Sequence, residues 1–361
     1  MKFRDAGLGK PASRWLSSPP TGAPIVVQQP TTEHENDPNK RHEERHETPG
    51  ATLLVTAMSP ANACDLCSIY SAATARGELG KGWHASLAGQ FTHQGTLQLD
   101  SQRTTSPVPQ SMDSAITQVV LGYNFSDRIG LQLNLPLIHR SFERPDDTGA
   151  LQRGSVSGPG DLALVANFTA VRLDEKHYTV NWGFLAGVKL PTGSADRLQE
   201  EVDELTAPPA PVDSAVHGHD LTLGSGSVDG LLGTSFFARW ERLYFSASAQ
   251  FAWRSAGRFG YRFANDLTWS GGPGGLLMLA DDYTIALQAN VSGETKGQDR
   301  FAGARVGDTA LTAIYVGPQI SVTWKEKLSA EAGVDLPMSL RKTALQIVPD
   351  YRVRLALTWR F

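Results

Sequence analysis

Between Ile129 and Leu137 every second residue is aliphatic: Ile129, Leu131, Leu133, Leu135 and Leu137 alternate with Gly130, Gln132, Asn134 and Pro136. Successive side chains of a β-strand point to opposite faces, so the segment predicts a strand with one apolar and one polar face. The pattern returns in Tyr178, Val180, Trp182, Phe184, Ala186, Val188 and Leu190, in Leu243, Phe245, Ala247, Ala249, Phe251 and Trp253, and in Tyr283, Ile285, Leu287, Ala289 and Val291. It returns once more at the end of the chain. There Tyr351, Val353, Leu355, Leu357, Trp359 and Phe361 share one face, and Arg352, Arg354, Ala356, Thr358 and Arg360 the other. Two earlier strands, marked by Trp83, Ala85, Leu87 and Phe91 and by Val119, Leu121, Tyr123 and Phe125, and segments near 160–173, 227–240, 261–280, 309–324 and 327–340 bring the count to twelve.

The connections alternate in length. Short polar turns are expected at Ser126–Arg128, Asp174–Lys176, around Glu241, at Asp281–Asp282 and at Lys325–Lys327. Long loops are expected over 96–113, 142–158, 191–226, 255–261, 294–308 and 341–349. Short turns on one rim and long loops on the other are the plan of an antiparallel transmembrane β-barrel, with the short rim periplasmic and an even strand number placing both ends of the barrel on that side. Aromatics that gather near the short turns (Tyr123, Phe125, Tyr178, Trp240, Tyr244, Tyr283, Trp324 and Trp359) fit an interfacial girdle. A soluble sandwich would instead bury its aromatics between sheets. It seldom leaves Gln, Asn, Thr and Arg on a whole face over so many long strands.

Composition agrees with the barrel. Hydrophobic residues make up 40% of the chain and mean hydropathy is −0.25, with no uninterrupted apolar run of the roughly 20 residues a membrane helix needs. A net charge of −4 offers no basic field, so nucleic acid is not an expected partner. Residues 1–50 are Pro-rich and then heavily charged, and predict a disordered leader. Residues 51–63 combine a short apolar run with Ala61-Asn62-Ala63, the form of an export cleavage site, although the run is short and the preceding charge is mixed. Residues 64–81 would then form a periplasmic segment, and 82–361 the barrel, in the outer membrane of a Gram-negative cell. Expected partners are membrane lipid and lipopolysaccharide, a small-molecule solute, and the barrel-assembly machinery through the C-terminal Phe361.

Three segments, Ser157-Gly-Pro-Gly-Asp-Leu-Ala-Leu164, Gly187-Val-Lys-Leu-Pro-Thr-Gly193 and Leu223-Gly-Ser-Gly-Ser-Val-Asp-Gly230, follow Leu131-Gln-Leu-Asn-Leu-Pro136 in that order. From about residue 82 onward the chain thereby resembles the outer-membrane barrels grouped under the MetA pathway of phenol degradation. The resemblance implies passive uptake or efflux of small solutes, aromatic or apolar compounds among them, and it carries no catalytic residues. The long polar leader departs from that family.

Candidate chemistry is sparse. His84, Lys189, Arg239, Arg254, Arg262, Arg352, Arg354 and Arg360 fall on the expected lumen face, with Asp229, Asp266, Glu331 and Asp335 as partners. The row leans basic, which predicts a mild anion preference if water fills the bore, while mutual pairing of these charges is the competing reading. Cys64 and Cys67 have a spacing that suits a disulfide, a redox pair or half a metal site, and underlie an alternative role as a scaffold for a periplasmic redox or metal-handling partner. No His follows Cys67, so haem attachment is not expected, and the sequence predicts no cofactor. His217, His219 and Asp220 lie in the longest loop; they are ligand types for a divalent ion, or part of a hydrated surface loop. That loop is long enough to fold inward and narrow the pore. The histidines are scattered, and no Ser neighbours one in a hydrolase motif, so an enzyme is not expected.

Overall fold

A computed structural model describes residues 81–207, 210–325, 327–342 and 344–361. Twelve antiparallel strands form one closed sheet: β1 (Gly82–Leu99), β2 (Ser111–Asn124), β3 (Ile129–Pro145), β4 (Leu162–Asp174), β5 (Tyr178–Leu190), β6 (Asp229–Trp240), β7 (Leu243–Trp253), β8 (Asp266–Leu279), β9 (Tyr283–Lys296), β10 (Leu311–Trp324), β11 (Leu328–Lys342) and β12 (Leu345–Arg360). Each pairs with its sequence neighbour, and β12 pairs with β1 to close the cylinder, from His84 opposite Arg360 to Leu99 opposite Leu345. At the end of this seam the Phe361 amide donates to the Trp83 carbonyl.

Alternation sorts the faces as expected. Leu87, Leu133, Phe184, Leu232, Leu287 and Leu355 stand on the outside, exposed, whereas Gln90, Gln118, Gln132, Asn134, Asn167, Gln250, Gln288 and Asn290 point inward and are buried. These inward amides are covered by their neighbours rather than standing free. In hydrocarbon only a closed sheet satisfies every backbone N–H and C=O, and the β1–β12 seam supplies that closure.

At the short-turn rim Trp83, Phe125, Trp240, Trp324, Trp359 and Phe361 are exposed on the outer face, and Trp83–Tyr123–Phe125 form a run of ring contacts. Tyr244 differs from expectation. It follows Leu243 on the inward parity of β7, is buried, and packs its ring against Phe237 inside the lumen.

The loop rim also differs. Most of 142–158, expected to be loop, is strand, because the upper half of β3 pairs with Leu151–Pro159 in a tall hairpin. Most of 341–349 is strand as well. There Leu345–Val348 pairs with the top of β1. Beyond the membrane the alternation no longer has lipid on one side, which is why these polar stretches read as loops. A small sheet of Tyr261–Arg262, Arg300–Phe301 and Ala304–Arg305 joins the β7–β8 and β9–β10 loops.

Candidate functional site

The β5–β6 loop, residues 191–228, folds back into the barrel mouth. It contains α1 (Leu198–Thr206) and α2 (Gly218–Leu221). On one side its Ala215, Val216 and Leu221 pack against Leu97, Met112, Phe142 and Ile347 of the tall wall made by β1, β2, β3 and β12. On the other, Ala195 and Leu198 pack against Tyr261 and Val306 from the neighbouring loops. Wall side chains then take up the loop's backbone groups. Arg140 donates to the carbonyls of Asp220 (2.6 Å) and Thr222 (2.8 Å), Arg144 to that of Val216 (3.2 Å), and Gln110 both donates to Asp213 O and accepts from the Ala215 amide. The described part of the loop is thus bound on both sides of the mouth.

Its two ends are tied at one carboxylate, Asp161. Asp161 Oδ1 accepts from the Gly193 amide (3.1 Å), and Oδ2 from the Ser225 amide and hydroxyl (both 2.8 Å) and from Lys189 Nζ. The three glycine-rich segments singled out in the sequence therefore meet in space. Gly193 lies so close to Gly160 that a Cβ there would come within 2.9 Å of its Cα, and a Cβ on Gly224 would come within 2.5 Å of Asp161 Oδ1. Only glycine permits this approach. Lys189 also reaches Asp229 (2.8 Å), Asp229 holds Arg254 (2.9 Å), and Arg254 holds Asp266 (2.5 Å), all of them buried.

The other expected pore residues are also paired. Arg352 binds Glu294 (2.7 Å) and stacks over the Tyr315 ring at 4.0 Å, while Arg354 makes a two-pronged contact with Asp335 (2.7 and 2.9 Å). Glu331 accepts from Gln319, and Arg239 donates to Thr179 Oγ1 and the Glu241 carbonyl. Arg360 sits at the seam opposite His84. Arg262 stands on no barrel strand: it lies in the small loop sheet, with Nε donating to the Arg254 carbonyl, because β8 begins only at Asp266. Sequence reasoning passed over Asp161 and Glu294, the two acids that complete these networks. Asp161 was in view within Gly-Pro-Gly-Asp, and Glu294 continues the inward row of Gln288, Asn290 and Ser292.

Below the loop a cavity of about 160 Å³ is bordered by Arg140, Lys189, Arg254, Lys296 and Arg352 together with Asp161, Asp266 and Glu294. Beside it, among the inward amides Gln132, Asn134 and Asn167, the inner face also carries apolar residues. Val120, Ala163, Val165, Leu185, Leu231 and Ala252, from β2 and β4 through β7, form a buried patch inside the lumen.

His217 and His219 stack with ring centres 5.6 Å apart. His219 Nδ1 lies 2.7 Å from Glu201 and Nε2 3.4 Å from Asp220, while His217 Nδ1 lies 3.1 Å from Glu204. Burial opposes a charge on His219, yet Asp220 and Glu201 outweigh it and push its pKa up to about 10. In return, despite its own burial, Glu201 is held below the usual carboxylate range by His219. Asp220 caps α2 through the His217 amide, and the groups placed closely enough to hold a metal ion, among the described residues, are Glu201, Glu204 and His217. Cys64 and Cys67, the leader and the export segment lie outside the described residues.

No protein-family model and no curated protein matches the chain. Among solved structures it is similar to the COG4313 outer membrane channel from Pseudomonas putida F1, with a TM-score of 0.57 and 17% identity over 78% of this chain and 97% of that one. The fold is an outer-membrane barrel. Weaker likenesses include the β domain of the Bordetella autotransporter BrkA (TM-score 0.40, 10% identity, 77% and 99% covered) and a Pseudomonas aeruginosa FadL homologue (TM-score 0.35, 13% identity, 84% and 99% covered). Their superposition is too loose to bear on function.

Proposed function

We propose that this barrel is a passive outer-membrane channel for small solutes, with the β5–β6 loop as its closure. The observation that carries the reading is the seated loop itself, bound to both sides of the mouth of a cylinder whose outer face suits lipid. The apolar patch inside the lumen favours aromatic or apolar solutes, which is also the class implied by the resemblance to the MetA-pathway barrels. In this reading the protein is a transporter, and lipid, lipopolysaccharide and, through Phe361, the barrel-assembly machinery are its contacts. Nothing in the described residues or the comparisons supports a role for the Cys64–Cys67 pair with a redox or metal partner.

Planar-bilayer recording of the refolded protein tests the reading, followed by vesicle uptake of phenol against a sugar of similar size. Brief or rare openings in the wild type, sustained ones once the loop is released, and faster entry of phenol are expected. A barrel that conducts in neither state would overturn it.

A further inference from the structure

A cluster in the seated loop has the makings of a site that transport alone does not require. Glu201, Glu204 and His217 each offer one ligand atom, and the three atoms lie within 4.8 Å of one another. Two come from successive turns of α1 and the third from the residue that opens α2, so a shared ion would join the two helices. The surrounding groups orient all three. Arg144 Nη1 approaches Glu204 Oε1 (3.5 Å), leaving Oε2 towards the imidazole, and His219 holds Glu201.

His217 itself shows the second feature of a metal ligand. Its Nδ1 faces the carboxylates of α1, while Nε2 is buried, has no well-formed hydrogen bond, and lies 3.3 Å from Asp308 Oδ2 of the β9–β10 loop. A ligating imidazole regularly gives its second N–H to a carboxylate, which fixes both tautomer and ring orientation. Asp308 stands where that partner is needed. One nitrogen and two carboxylate ligands suit zinc, with an open position for water, whereas calcium takes six to eight oxygens.

We propose that Glu201, Glu204 and His217 bind a zinc-like divalent ion, with Asp308 as the positioning residue behind the imidazole, and that the ion fastens α1 to α2 while the loop is seated. The test is calorimetric titration of the full-length chain carrying C64S and C67S, which removes the competing thiols, with zinc chloride and, separately, calcium chloride. One zinc per chain and no calcium binding are expected, with zinc affinity at least ten-fold weaker in both His217→Ala and Glu204→Gln. Heat-modifiable gel mobility shows whether each variant still forms the barrel, and Glu204→Gln alone decides the matter if His217→Ala does not. Unchanged zinc affinity in the folded variants would overturn the proposal, as would calcium binding as well as zinc. Binding is read independently of conductance, so failure here leaves the channel reading untouched, and the reverse.

Discussion

The two rims of this barrel are built on different principles. At the turn rim, strands are joined by a few polar residues, with Glu241 and Lys325 in left-handed backbone conformations, and the outer face carries Trp83, Trp240, Trp324 and Trp359. Order there comes from each strand pairing with its neighbour and from rings that suit the boundary of hydrocarbon and headgroups. At the loop rim, order is long-range. Gly193 and Ser225, far apart along the chain, depend on the single carboxylate of Asp161, and Leu221 of α2 packs on strands from both ends of the sequence while Leu198 of α1 packs on the neighbouring loops. The contrast predicts that the turn rim keeps its shape on losing one part, whereas the loop rim is released as a unit.

The sharpest way to break this contrast is Asp161→Ala. It removes the acceptor shared by Lys189, Ser225 and Gly193, and stripping one partner from a buried charge pair costs roughly 3–5 kcal/mol. We expect sustained conductance and faster protease cleavage within 191–228, with heat-modifiable mobility retained; cleavage at the wild-type rate would refute a common tether. Next in size is Leu133→Arg on the lipid face, expected to cost about 2–4 kcal/mol in unfolding measured from lipid vesicles, while Leu133→Ile changes little.

A smaller effect, read in selectivity, follows from joint replacement of Arg352 and Arg354 by Ala. Glu294 and Asp335 would lose these cationic partners, so reversal potentials under a salt gradient should shift towards cation preference. An unchanged potential would mean that ions do not pass these residues. The smallest effect is expected from Trp240→Ala at the turn rim, about 1 kcal/mol or less from loss of its stacking on Tyr178, with conductance unaltered.

What could be read in the sequence follows the same division. Leu131, Leu133, Phe184 and Leu355 announced their strands because period-two alternation is a code for two solvents, and the membrane enforces it. Above the lipid the code lapses. Leu345–Val348 is strand, yet its side chains do not alternate between lipid and lumen: Gln346, Ile347 and Val348 are all buried, and Ile347 packs against the seated loop. Tyr244 shows a related limit: an aromatic next to a turn suggests a girdle, but its parity sends it inward against Phe237. In the candidate site, the basic residues of the lumen were visible and their acids only partly so. Lys189 and Arg254 lie on predicted strand ends, while Asp161 lies in a kink whose role emerges only when Gly193 and Gly224 come against it. The inward fold of 191–228 was foreseeable from its length, but not its resting place, which depends on Leu97 and Met112 some hundred residues earlier.

The seam between β1 and β12 carries a consequence for biogenesis. Ser86 and Thr358, hydrogen-bonded across it at 2.9 Å, are 272 positions apart. Until the final stave is delivered, the first presents a ragged row of amides and carbonyls that oil cannot solvate. A nascent chain therefore has no stable half-inserted form to pause in, and truncating even the last few residues should leave the whole sheet outside the bilayer.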